Sequence, residues 1–270
     1  MVFCRGGRKP VKWLARWSIL AAARFRRRRD NLCLTSPLPP PGESLKIDHC
    51  EFPDGLLYDV EQGTWADLKG DVIRVGITSL LSWSFGVFSA ITFRGIGMAL
   101  VRGQVMGTME GSRHFDVFRS PVSGTLSAVN GRLVDEPGLL NKDPYGEAWF
   151  AEIRVKDVGE LGGALRRLPE AERRIAELLK ERNVHCFAAF PDFEVFDQGV
   201  ECQAVLAKLN ELLERSTPGT VVHVVSDDGS AEVEMQRWSD QTGNSIVDVQ
   251  KEGKVFHYIV RKEPQKAERP

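Results

Sequence analysis

If this sequence does chemistry, its cysteines are the place to look, since no other set of side chains has the spacing of a reactive site. The five cysteines, Cys4, Cys33, Cys50, Cys186 and Cys202, are odd in number and contain no Cys-x-x-Cys step. That pattern argues against both a disulfide framework and a zinc site, and it fits a reducing compartment. Cys202 immediately precedes the run QAVLAKLNELLER, which predicts a helix over residues 203–215. Unpaired N–H groups in a first helical turn carry partial positive charge, so a sulfur placed there has its thiolate favoured. Glu201, the adjacent residue, acts in the opposite direction. A lone cysteine near a helix start equally suits burial as a small hydrophobe. Cys186, a short linker upstream, is a candidate for resolving or passing on sulfur.

The five histidines, His49, His114, His185, His223 and His257, show no ligand spacing, so no metal site is expected. No Ser-His-Asp order, phosphate-cradling glycine motif or paired carboxylate stands out. The residues therefore argue for a carrier or adaptor rather than an enzyme acting on a small free substrate.

At 270 residues, 42% of them hydrophobic and 27% charged, the chain is long enough for two modest domains. No apolar run approaches the roughly 18 residues of a membrane span. The net charge of -1 hides an asymmetry: residues 1–29 hold ten Lys or Arg and no acid, which leaves -11 on the rest. An acidic body argues against nucleic-acid binding. The basic segment, apolar at Val11, Leu14, Trp17 and Leu20, reads as a targeting peptide, a helix on an anionic membrane, translation from an upstream start, or an extension with no role in the fold. PLPPPG at residues 37–42 is a stiff linker.

Between residues 47 and 155 the sequence predicts short strands divided by glycine turns, with Ile73, Val75 and Ile77 alternating as in a half-buried strand. GQVMGTMEGSRHFDVFRSPVSG, residues 103–124, predicts a hairpin whose turn presents Ser112, Arg113 and His114. Trp83 and Phe88 are expected in the core. LRRLPEAERRIAELLKER contains a helix that starts at Pro169, has an apolar face of Ile175, Leu178 and Leu179, and connects the two domains. From Phe190 onward the expected order is strand, helix 203–215, strand 220–226, helix 231–242 and strands 246–250 and 255–261, a β-α-β-α-β-β order that folds as two layers.

Two resemblances sharpen this reading. Residues 58–155 resemble the H protein of the glycine cleavage system, through Val75-Gly76-Ile77-Thr78, Pro121-Val122-Ser123-Gly124, Asn130 and Asp143-Pro144-Tyr145-Gly146-Glu147. The resemblance implies a β-rich carrier whose lipoyl arm is amide-linked to a lysine. The position that this family gives to the arm lysine is Arg113, and no lysine lies between Gly103 and Gly124. A guanidinium stays protonated and is no acyl acceptor, so no lipoyl cofactor is expected. Lys142 belongs to a different loop. Residues 190–264 resemble the TusA sulfur-relay family through Gly199-Val200-Glu201-Cys202, Pro218-Gly219, Asp227-Asp228, Trp238, Gly243 and Tyr258-Ile259-Val260-Arg261-Lys262. In that family the matching cysteine carries a persulfide, which makes Cys202 the expected catalytic residue. Gln203-Ala204-Val205 stand where the family has Pro-any-Pro.

The expected architecture is multidomain. A basic extension and linker occupy 1–45, an all-β barrel-sandwich hybrid of lipoyl-carrier type 46–160, a linker helix 161–189, a two-layer α/β sandwich of TusA type 190–264, and a tail 265–270. The expected function is a cytoplasmic sulfur relay, sulfurtransferase-like if active. It accepts sulfur as a persulfide on Cys202 and uses a non-lipoylated H-like domain for docking. Its partners are sulfur donors or acceptors and lipoate-dependent enzymes, without nucleic acid. The alternatives are a non-catalytic adaptor and a working glycine cleavage H protein.

Overall fold

The structure, a computed structural model, describes residues 44–156, 163, 165–196 and 198–264. Expectations for the basic N-terminal segment, the PLPPPG linker and the tail 265–270 lie outside those residues. Cys4 and Cys33 lie outside them too.

The alternation at Ile73, Val75 and Ile77 does form a strand, and all three side chains are fully buried. The strand is β5 (Val72–Ile77), at the middle of a seven-stranded antiparallel sheet. Its neighbours on one side are β4 (Thr64–Lys69), β3 (Leu57–Asp59) and the short β12 (Arg166–Arg167), and on the other β11 (Ala151–Arg154), β10 (Gly124–Val129) and β7 (Ala99–Leu100). A three-stranded sheet of β6 (Phe88–Phe93), β8 (Val105–Gly111) and β9 (Phe115–Arg119) closes over it. Met106, Met109 and Phe118 from the smaller sheet share one core with Ile73, Val75, Leu126 and Ile153 from the larger. The two sheets make the expected sandwich without closing into a barrel. Helices α1 (Ser79–Phe85), α2 (Arg132–Asp135) and α3 (Leu139–Lys142) lie in its connections.

Several motif residues prove to be packing devices. A Cβ on Gly76 would sit 2.5 Å from the Trp65 ring, so only glycine lets that buried indole lie flat on β5. The indole Nε1–H in turn donates to the Pro144 carbonyl at 2.8 Å, and the Tyr145 hydroxyl accepts the Ser79 N–H at 2.9 Å. The Asp-Pro-Tyr-Gly turn is thereby fixed to β4 and to the start of α1.

A second core lies behind the large sheet. The hairpin β1 (Ser44–Ile47) and β2 (Cys50–Pro53) and the helix α4 (Leu168–Glu181) contribute Phe52, Leu168, Ile175, Leu178 and Leu179 to it, together with Tyr58 and Trp65. The expected apolar face of α4 is the buried one, and it rests on the first domain. Cys50 and Cys186 are joined by a disulfide across 136 residues. This corrects the reading of the cysteine pattern as one that argues against disulfides. Their wide separation hid the pairing, which arises because α4 returns the chain to the β1–β2 hairpin. It also removes the cysteine argument for a reducing compartment. Cys186, held in the bridge, has no thiol with which to pass sulfur.

The second domain follows the expected order: β13 (Phe193–Phe196), α5 (Cys202–Glu214), β14 (Val221–Ser226), α6 (Ala231–Thr242), β15 (Ser245–Glu252) and β16 (Val255–Arg261). The four strands form a sheet ordered β13-β14-β16-β15, parallel only between β13 and β14. Val222, Val224, Tyr258 and Val260 face the helices and pack on Leu209, Met235 and Trp238. Their neighbours His223, Val225, His257 and Ile259 point to the opposite, helix-free face. Among the described residues no helix is long and apolar enough to cross a membrane.

Two substitutions test this account. Closing so long a loop restricts the unfolded chain, so a Cys50→Ala/Cys186→Ala double variant is expected to lose about 4 kcal/mol of stability. Urea unfolding checks this, and an unchanged midpoint contradicts it. Gly76→Ala is expected to cost about 2 kcal/mol through overpacking against Trp65. Near-UV circular dichroism of the tryptophans should change with it, and an unperturbed spectrum at full stability contradicts the contact.

Candidate functional site

The hairpin turn sits where glycines let backbones approach closely. A Cβ on Gly111 would fall 2.5 Å from the Phe85 carbonyl oxygen, and one on Gly86 2.3 Å from the Ser112 hydroxyl. The Ser112 N–H donates to the Val87 carbonyl at 2.9 Å and the Arg113 N–H to that of Phe85 at 3.0 Å. The β8–β9 turn is therefore fixed against the end of α1, with Ser112, Arg113 and His114 exposed as expected.

The side chain of Arg113, though partly exposed, has partners. Its guanidinium pairs with Glu194 on β13 of the second domain and also donates to the Trp83 carbonyl at 3.4 Å. Glu194 stays charged: His223 hydrogen bonding and the Arg113 charge hold its carboxyl below the usual range against the opposing effect of burial. Trp83, partly buried, packs against the second core and also on Phe187 at 5.7 Å and Phe190 at 4.5 Å between ring centres, so the expected core residue reaches the segment that leads into the second domain. Lys142 ends α3, an element separate from this turn.

Around Arg113 lies a cavity of about 810 Å³, bounded by the hairpin turn, the segment after α4 and the helix-free face of the second sheet. Four of the five histidines line it: His114, His185, His223 and His257. His223 Nε2 and His257 Nδ1 are 3.0 Å apart, sharing one hydrogen bond. Phe187 covers both rings, at 4.7 Å from His223 and 5.7 Å from His257. Sequence spacing missed this grouping, because it follows from strand register: Val225 pairs with His257 and His223 with Ile259, placing the two imidazoles diagonally on one face. Among the described residues no group of His, Cys, Asp or Glu has the arrangement of a metal site.

Cys202 is the first residue of α5, as its position before the helix implied, and it is the only unpaired cysteine among the described residues. It is 2% exposed and packs with Val205, Tyr258 and Trp238 in the second-domain core. The helix start does not serve its sulfur. The Cys202 N–H donates to Asp228 Oδ2 at 2.8 Å, while Asp228 Oδ1 accepts the Ser230 N–H at 2.8 Å. These donors, Ser230 first, keep the Asp228 carboxyl below its ordinary range. Burial pushes the Cys202 thiol up, and the charges of Asp228 and Glu234 add to the effect. The favoured thiolate expected from helix geometry is thus reversed, first by burial and then by the aspartate that accepts the Cys202 N–H.

The remaining motif residues of this domain frame the same turn. Asp227 Oδ1 accepts the Gly199 N–H at 2.7 Å, and Gly199 has φ of 73°, a conformation open to glycine. Lys262 Nζ donates to the Ser216 carbonyl at 2.7 Å, closing the far end of α5.

Comparison with known proteins agrees with this two-part architecture. The glycine cleavage H-protein family matches residues 56–178, and the sulfurtransferase TusA family matches residues 198–262. A glycine cleavage system H protein of Mycobacterium leprae (strain TN) is 34% identical over 130 residues, which cover 48% of this chain and 98% of that protein. A probable glycine cleavage system H protein of Haloarcula marismortui is 37% identical over 123 residues, covering 46% and 94%. A crystal structure of a glycine cleavage system H protein from Mycobacterium marinum covers 46% of this chain and 98% of its own, with 28% identity and a TM-score of 0.41. The chain thus belongs to the glycine cleavage H-protein family through its first domain and carries a TusA domain fused after it.

Proposed function

We propose that this protein is a non-lipoylated adaptor that presents a lipoyl-carrier-shaped surface and a sulfur-carrier-shaped surface on one body. Its partners are enzymes or sulfur-transfer proteins that recognise those two shapes. The observation that carries the reading is Arg113. It replaces the acylable amine with a guanidinium and commits that guanidinium to Glu194 in the neighbouring domain. An arm anchored there would have to leave the pair before it could swing.

Sulfur relay through Cys202 is the second reading, favoured by the free thiol at the start of α5 inside the TusA-matching segment. In that reaction the Cys202 thiolate attacks the outer sulfur of a donor persulfide. The donor S–S bond breaks, the donor thiolate leaves with the electron pair, and Cys202 keeps the transferred sulfur as a persulfide. The turn before α5 must open for this to occur, since the sulfur is buried and its thiolate disfavoured. Placement in the cytoplasm belongs with this second reading.

Two mass measurements separate the possibilities. With a lipoate–protein ligase, ATP and lipoate, the wild-type chain is expected to gain no lipoyl mass, whereas an Arg113→Lys/Glu194→Gln variant should gain one adduct. Lipoylation of the wild type contradicts the adaptor reading. Treated with a small persulfide donor near neutral pH, the adaptor should load Cys202 at least about tenfold more slowly than an unfolded cysteine peptide, given its disfavoured thiolate. Rapid loading that disappears in Cys202→Ser establishes the relay instead.

A further inference from the structure

The helix-free face of the second sheet carries two imidazoles that lie under Phe187 of the segment after α4. His223 on β14 and His257 on β16 share a single hydrogen bond of 3.0 Å, so one nitrogen donates and the other accepts. Each outer nitrogen faces a carboxylate: His223 Nδ1 lies 3.8 Å from Glu194 on β13, and His257 Nε2 lies 3.7 Å from Glu252 on β15. Glu252 also pairs with His185 Nδ1 at 3.2 Å, from the segment after α4, and His185 stacks on His257 with ring centres 6.0 Å apart. The hairpin adds Arg113, His114 and Asp116 to the same cavity, and the end of α4 adds Arg182. These are the charged and titratable groups that line the pair's surroundings.

A first proton on the pair is well placed, because the inner hydrogen bond survives and the added charge lies 3.8 Å from the Glu194 carboxylate or 3.7 Å from that of Glu252. A second proton is not. It removes the acceptor from the inner bond and sets two cations about 3 Å apart under Phe187, where the dielectric is low. We infer that the His223–His257 pair is a proton-operated fastening, whole with one proton or none, and that double protonation releases the segment 183–191 from the second sheet.

The direction with pH follows from His257. Burial, then His223 and His185, hold its pKa below the ordinary imidazole value of 6.5, with Glu252 opposing them. The fastened state therefore binds the proton less readily than the released state. Its contribution is fully present above about pH 6.5 and is lost as the pH falls below that value. Glu194 remains ionised through this window and does not reverse the sign.

The test is hydrogen exchange of the full chain, with residues 183–191 followed between about pH 7.5 and about pH 5.5 and rates corrected for intrinsic pH dependence. The wild type is expected to exchange there about tenfold faster at the acid end, while His257→Asn, which cannot become a cation, shows no such rise. No acceleration in the wild type, or an equal one in the variant, overturns the inference. Should His257→Asn fail to fold, imidazole NMR of the wild type decides: uptake by the pair in two separated steps, the second tracking the exchange rise, supports it. Independent single steps with flat exchange refute it.

Discussion

Everything in this molecule depends on how the second sheet covers its helix-free face. With α5 and α6 both on one side, Val225 and Ile259 on the other would stand in water, yet they are 1% and 0% exposed. Phe187, the segment around it and the first domain provide the cover, and Trp83 packs on that segment from the far side. A β-α-β-α-β-β layer can stand alone only if its outer face is polar. Here that face is built from valine, isoleucine and paired histidines, so the two domains form one body rather than two on a tether.

The two residues that the sequence singled out, Arg113 and Cys202, are each tied to a carboxylate of a neighbouring element. Glu194 takes the Arg113 guanidinium, and the Cys202 backbone N–H goes to Asp228. For Arg113 the partner crosses between domains, which makes this hairpin turn a joint. For Cys202 it comes from the loop after β14, and it raises the energy of the thiolate instead of lowering it.

Much of this was legible from residue order alone. The alternation of Ile73, Val75 and Ile77, the β8–β9 hairpin, the apolar face of α4 and the bounds of α6 and β16 follow from period and turn chemistry, because each is decided within a few residues of chain. What escaped was decided by register across distant strands. His223 and His257 have unremarkable spacing and meet only because β14 and β16 pair antiparallel. Cys50 and Cys186 meet only because α4 folds back on the first hairpin. Glu194 is one acid among many until β13 is laid beside β14. Asp228 was noted for its family resemblance, but its role as the acceptor at the start of α5 depends on a loop that sequence period does not describe.

The central claim is that Arg113 is a joint between domains, and a double-mutant cycle on Arg113 and Glu194 measures it most directly. The pair is partly solvated, with side chains 45% and 31% exposed, so solvent screening limits its strength. Arg113→Ala, Glu194→Ala and the double variant, compared by urea unfolding, are predicted to show a coupling of about 0.5–1 kcal/mol. Strict additivity, with the two single changes summing to the double, would contradict the joint.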